Sequence, residues 1–171
     1  MTVCGGKPAC EGATRVKRPY HIDQIMITPR QLAQRVDELA RELAAGARSE
    51  NLVVIGILRG SFIFLADLVR WFSLHDMHPR IDFMIMESYG AGTMPRQEPV
   101  VTRDCSIELA GADVVVVDDI LDTGRTLQKA FAHLKAKGAV SVRTCVLLDK
   151  PSRRAVPFEA DFVGFQIEDA F

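Results

Sequence analysis

The run Val114-Val115-Val116-Val117-Asp118-Asp119-Ile120-Leu121-Asp122-Thr123-Gly124-Arg125-Thr126-Leu127 constrains this chain more than any other part of it. Four β-branched residues in succession do not suit a sheet with one wet face. They predict a strand covered on both sides, as in a parallel sheet under helices. Two carboxylates sit where that strand is expected to run out, ahead of a short turn through Thr123 and Gly124. Leu127, Ala130, Phe131 and Leu134 then recur at helical spacing, and Gly138 is placed to end the helix. A strand, a small-residue turn and a helix start together make an anion site, because unpaired N–H groups and the helix dipole face one point. Acids beside such a site hold sugar hydroxyls or a metal that accompanies phosphate. The expected ligand is a phosphorylated sugar.

The remaining patterns agree with an α/β chain. Thr28-Pro29-Arg30-Gln31 reads as a capping box with Pro29 at the first helical position, and Leu32, Val36, Leu39 and Leu43 follow on one face. Residues 52–57 and 81–86 read as strands. Residues 62–72 are apolar nearly all round, which predicts a helix buried between the sheet and a further surface such as a subunit partner. Residues 87–99 form a long excursion rich in Gly and Pro, of the kind that serves as a lid. Residues 114–117, 143–148 and 162–165 complete a mostly parallel, twisted sheet flanked by helices. Neither a G-x-x-x-x-G-K-[ST] loop nor a G-x-G-x-x-G loop occurs.

Five motifs resemble those of the type I phosphoribosyltransferases, and closely those of the hypoxanthine-guanine enzymes, over residues 22–171. The Val114 to Leu127 run resembles the phosphoribosyl-diphosphate signature. Gly56-Ile57-Leu58-Arg59-Gly60-Ser61 resembles the diphosphate loop, and Ser88-Tyr89-Gly90 the mobile flap, next to a small hood. Leu147-Leu148-Asp149-Lys150-Pro151-Ser152-Arg153-Arg154 resembles the purine-selecting strand end, and Asp161-Phe162-Val163-Gly164-Phe165 the approach to the base-stacking residue. The resemblance implies Mg²⁺-dependent transfer of a phosphoribosyl group from phosphoribosyl diphosphate to N9 of a 6-oxopurine, giving a nucleotide and diphosphate.

It also implies roles. Asp118 and Asp119 would face the ribose hydroxyls and the metal, directly or through substrate; read alone, they are equally turn-forming acids. Asp122, Thr123, Gly124, Arg125 and Thr126 would wrap the 5′-phosphate, although Asp and Thr also serve as plain helix caps. Asp122 would in addition take the proton that the purine loses. Leu58, Arg59, Gly60 and Ser61 would offer N–H groups, a cation and a hydroxyl to diphosphate, with a non-proline cis bond between Leu58 and Arg59; alone, they read as an ordinary strand-to-helix turn. Ser88 and Tyr89 would close over a reacting centre that water would otherwise capture, or form a plain surface loop. Lys150 would donate to O6 and reject adenine, whose amino group leaves two donors facing each other; a surface Lys paired with Asp149 is the bland alternative. Ile120 and Phe171 would cover the two faces of the purine.

Bulk properties restrict the alternatives. At 171 residues the chain is one domain, expected to consist of a poorly ordered arm over 1–18 and the transferase domain over 19–171. The resemblance implies a further C-terminal segment, carrying a carbonyl that reads the base edge, an acid near the metal and an Arg near diphosphate. That segment is expected to be missing here, which bears on guanine selection and metal affinity. A formal charge of −1 argues against nucleic acid as the main partner, and against a regulator that keeps the fold but binds RNA or DNA. A receiver-type signalling domain would place the acid pair at its first strand, whereas two strands precede it here. No run reaches membrane-spanning length. Cys4, Cys10, Cys105 and Cys145 are scattered, which suits a cytoplasmic address. The expected partners are small molecules and further copies of the chain, as a homodimer or homotetramer.

Overall fold

Residues 25–47, 49–87 and 98–168 are described in a computed structural model of the chain. Val114 to Val117 lie at its centre, in a strand spanning Asp113–Leu121, and none of the four is more than 1% exposed. Two helical layers explain their burial. Val114 and Val116 pack on Leu127, Ala130 and Leu134, while Val115 and Val117 pack among Leu39, Leu43, Leu65, Leu68 and Phe72. Each such buried side chain contributes about 1.5–3 kcal/mol relative to leaving it in water.

The elements run α1 (Pro29–Ala45), β1 (Leu52–Leu58), α2 (Phe62–Leu74), β2 (Arg80–Glu87), β3 (Val100–Arg103), β4 (Asp113–Leu121), α3 (Arg125–Ala136), β5 (Ser141–Asp149), a 3-10 turn (Pro151–Arg153) and β6 (Phe162–Gln166). The sheet order is β3-β2-β1-β4-β5-β6. All neighbours are parallel except β3, which runs antiparallel to β2 along the edge. At the start of α1 the Gln31 N–H donates to Thr28 Oγ1 at 3.3 Å, and the Thr28 N–H donates back to Gln31 Oε1 at 2.9 Å. That is the capping box expected from the sequence.

Three expectations need correction. β4 is longer than the expected 114–117 and runs to Leu121, with the acids at its end as expected but still within the strand. β3 is a further short strand, with an exposed pattern that gives little periodic signal. Residues 62–72 do form a helix, but only Phe64, Leu65, Leu68 and Phe72 are buried, while Phe62 and Ile63 are 56% and 66% exposed. No helix among the described residues is long and apolar enough to cross a membrane.

The topology fixes where a ligand fits. From β1 the chain crosses through α2 to β2 on one side, and from β4 it crosses through α3 to β5 on the other. β1 and β4 are neighbours, so the connections leave their C-terminal ends in opposite directions and open a crevice there.

Candidate active site

Three segments meet at that crevice. The first is the loop after β1. Its Leu58–Arg59 peptide is cis, as the sequence resemblance implied. Gly60 lies directly against the second segment: a Cβ placed on it would stand 2.6 Å from Asp119 Cγ. Only glycine lets this backbone approach the carboxylate so closely. Ser61 turns away from the crevice. It is fully buried, and its hydroxyl donates to the Ile57 carbonyl at 2.6 Å, so it is not the diphosphate donor expected from sequence.

The second segment is the end of β4 and the turn into α3. Asp118 is buried and accepts the Asp119 N–H on Oδ1 at 3.0 Å. Burial, reinforced by the Asp119 charge, holds the Asp118 carboxyl well above the usual carboxylate range. Asp119 and Ile120 are half-buried at the crevice edge. The helix cap is Gly124, in left-handed conformation at φ 83°, and it has no side chain to satisfy the first N–H groups of α3. The capping alternative for Asp122 and Thr123 is therefore not what the structure adopts, and the helix start remains open to an anion. Arg125 is the first helical residue; its side chain is exposed and lines a cleft with Glu98, Gln128, Lys129 and Val156 on the outer flank of α3. Thr126 is half-buried one residue on.

The third segment, after β5, closes on the second. The Lys150 N–H donates to the Leu121 carbonyl at 2.9 Å, and the Lys150 side chain is buried. Asp149 is engaged by Arg154. The Ala155 and Val156 N–H groups donate to the Thr123 carbonyl at 3.0 and 3.3 Å. The Asp122 carboxylate meets Arg153 Nε at 3.3 Å. The sequence motif gives Arg153 and Arg154 no role, since only the fold brings them to Asp122. Ser88, Tyr89 and Phe171 lie outside the described residues.

A crevice at the switch point of a parallel sheet, with an open helix start on one wall and paired acids on another, defines an enzyme that handles a phosphorylated sugar. The comparisons make this specific. The chain belongs to the phosphoribosyl transferase domain family, whose model matches residues 21–171. It is 41% identical over 149 residues to the hypoxanthine-guanine phosphoribosyltransferase of Aquifex aeolicus, covering 86% of this chain and 82% of that protein. The hypoxanthine phosphoribosyltransferase of Escherichia coli is 37% identical over 153 residues, 88% of this chain and 84% of that one. A crystal structure of a hypoxanthine-guanine phosphoribosyltransferase from Bacillus anthracis superposes with a TM-score of 0.79 at 38% identity, covering 88% and 87% of the two chains. The chain is an enzyme of this family.

Proposed function

We propose that the chain serves purine salvage, transferring the 5-phosphoribosyl group of phosphoribosyl diphosphate to N9 of hypoxanthine or guanine. The observation that supports this reading is the close approach of the Gly60 backbone to the Asp119 carboxylate, as expected if the loop after β1 binds diphosphate and the end of β4 faces the ribose. The N–H groups at the start of α3 hold the 5′-phosphate, and those of residues 58–60 hold the diphosphate. The C1′–oxygen bond to diphosphate breaks, the C1′–N9 bond forms, and the proton shed by the purine passes to the Asp122 carboxylate. Lys150 donates to O6. Ile120 and Phe171 bracket the ring, and Ser88 and Tyr89 close over the centre.

The acids fit Mg²⁺. Asp118 and Asp119 would hold it, directly or through substrate oxygens. Asp118 and Asp119 repel each other, and that repulsion adds to what raises Asp118. A divalent cation facing them relieves it. When bound, Mg²⁺ neutralises charge on the leaving diphosphate. The partners are small molecules and a second copy of the chain, with neither nucleic acid nor membrane involved. The buried free thiols of Cys105 and Cys145 suit a cytoplasmic setting.

The test is a spectrophotometric assay of this chain with phosphoribosyl diphosphate and Mg²⁺ against hypoxanthine, guanine, xanthine and adenine in turn. Turnover confined to 6-oxopurines, and lost in Lys150→Gln, is the expected result. Turnover of adenine at a comparable rate would sink the role given to Lys150.

A further inference from the structure

Arg154 bonds to the segments after both β4 and β5, and what it does rests on the transferase reading. Its Nη1 donates to the carbonyls of Leu121 at 2.8 Å, Asp122 at 2.6 Å and Lys150 at 3.1 Å. Its Nε donates to the Phe158 carbonyl at 3.0 Å, and its Nη2 to Asp149 Oδ1. The side chain is 18% exposed and that of Asp149 only 9%, so this is an interior junction and not a surface ion pair. A guanidinium is a rigid plane of donors, and no ammonium on a flexible stem can meet acceptors on three segments at once.

We propose that Arg154 is a positioning residue for the transfer, tying the main chain of Asp122 to that of Lys150 so that the proton acceptor and the O6 donor keep one separation. The resemblance sets Asp122 opposite N7 of the purine and Lys150 opposite O6; these atoms lie on the same edge of a rigid ring, so the groups that read them must be spaced to match. Asp122 and Lys150 directly follow the ends of β4 and β5, 28 residues apart in sequence, and the Lys150 N–H bonds the Leu121 carbonyl and not that of Asp122. Arg154 supplies that link. Asp149 orients the guanidinium, while Arg153 Nε meets the Asp122 carboxylate itself at 3.3 Å. Neighbouring arginines thus hold the main chain and the side chain of one residue.

The experiment is initial-rate kinetics on Arg154→Lys and Asp149→Asn beside the unsubstituted chain, varying phosphoribosyl diphosphate and purine separately, with thermal melting of each. The expected result for Arg154→Lys is a kcat lowered on the order of 10²-fold, the cost typical of a small misplacement of reacting groups. The KM for phosphoribosyl diphosphate should hold and the preference for hypoxanthine over adenine should narrow. Asp149→Asn should fall between the two. Unchanged kcat and purine preference in Arg154→Lys overturn the proposal. So does a loss of rate that tracks the folded fraction with preference intact, since that is what a merely structural residue would give. If Arg154→Lys does not fold, Asp149→Asn decides on the same criteria. Absence of turnover in the unsubstituted chain overturns the transferase reading and this inference together, whereas turnover there with an unaltered Arg154→Lys overturns the inference alone.

Discussion

The distance from position 60 to the Asp119 carboxylate leaves no room for a methyl group, and a substitution there reads out the site directly. In Gly60→Ala the new carbon would stand 2.6 Å from Asp119 Cγ, so either the loop after β1 or the carboxylate must move. The kcat/KM for phosphoribosyl diphosphate is expected to fall on the order of 10²-fold, with the melting transition nearly unchanged because the loop lies outside the core. Kinetics at the level of the parent would show that the loop relaxes without consequence. Asp118 makes the opposite trade. A carboxylate buried beside a like charge is destabilising, so Asp118→Asn should melt at a higher temperature than the parent in buffer containing a chelator, while losing turnover. A lower melting temperature would mean that Asp118 stabilises the fold and that the site is not strained by it.

At the scale of elements, local patterns were legible and distant pairings were not. The β4–turn–α3 unit could be read because its strand, its Gly and its helical face are contiguous, and α1 because its capping box spans four residues. Arg154 could not be read, since the carbonyls that give it a role belong to segments brought together only by the sheet register. Ser61 misled for a related reason. A serine before a helix reads as a donor to a ligand, but the turn points its hydroxyl back to Ile57. The link between β3 and β4 was equally silent, and it carries a pH-dependent contact. Burial works to raise the Asp104 carboxyl, but hydrogen bonds from Lys137 and the Cys105 thiol, with His133 Nε2 at 3.0 Å, outweigh it and hold the group at about 2, below its ordinary 3.8. A pKa depressed in the folded state contributes stability above the ordinary carboxylate range, and that stability is lost as pH falls toward about 2. Asp104→Asn should therefore melt below the parent at pH 6. The gap should close as the pH drops through this window, and a small gap is expected because the pair is partly solvated. A constant gap across the titration would assign the effect to packing and not to charge.

At the scale of the whole molecule, α2 connects the site to a surface that the described residues leave uncovered. Phe62 and Ile63 open the helix directly after the diphosphate loop and stand 56% and 66% exposed, and Ile81 and Phe83 on β2 are 37% and 36% exposed. Phe83 and Leu65 both border Gly56, which places this strand surface beside the inner face of α2. A helix that is apolar on both sides, yet buried on one, is what a second copy of the chain would complete, and burying such area contributes about 25 cal/mol per Å². A stable interface needs roughly 800 Å² from each partner, so this patch would form the apolar centre of a larger contact. Ile63→Glu puts a charge at that centre while leaving the buried face of α2, from Phe64 to Phe72, untouched. Sedimentation velocity should then show a smaller species than the parent at equal concentration. Because the first turn of α2 follows Gly60 so closely, the same variant should raise the KM for phosphoribosyl diphosphate while sparing the purine preference proposed for Lys150 at the far wall. A variant that sediments like the parent would remove this face from the interface. One that dissociates with unaltered KM would separate assembly from the diphosphate loop.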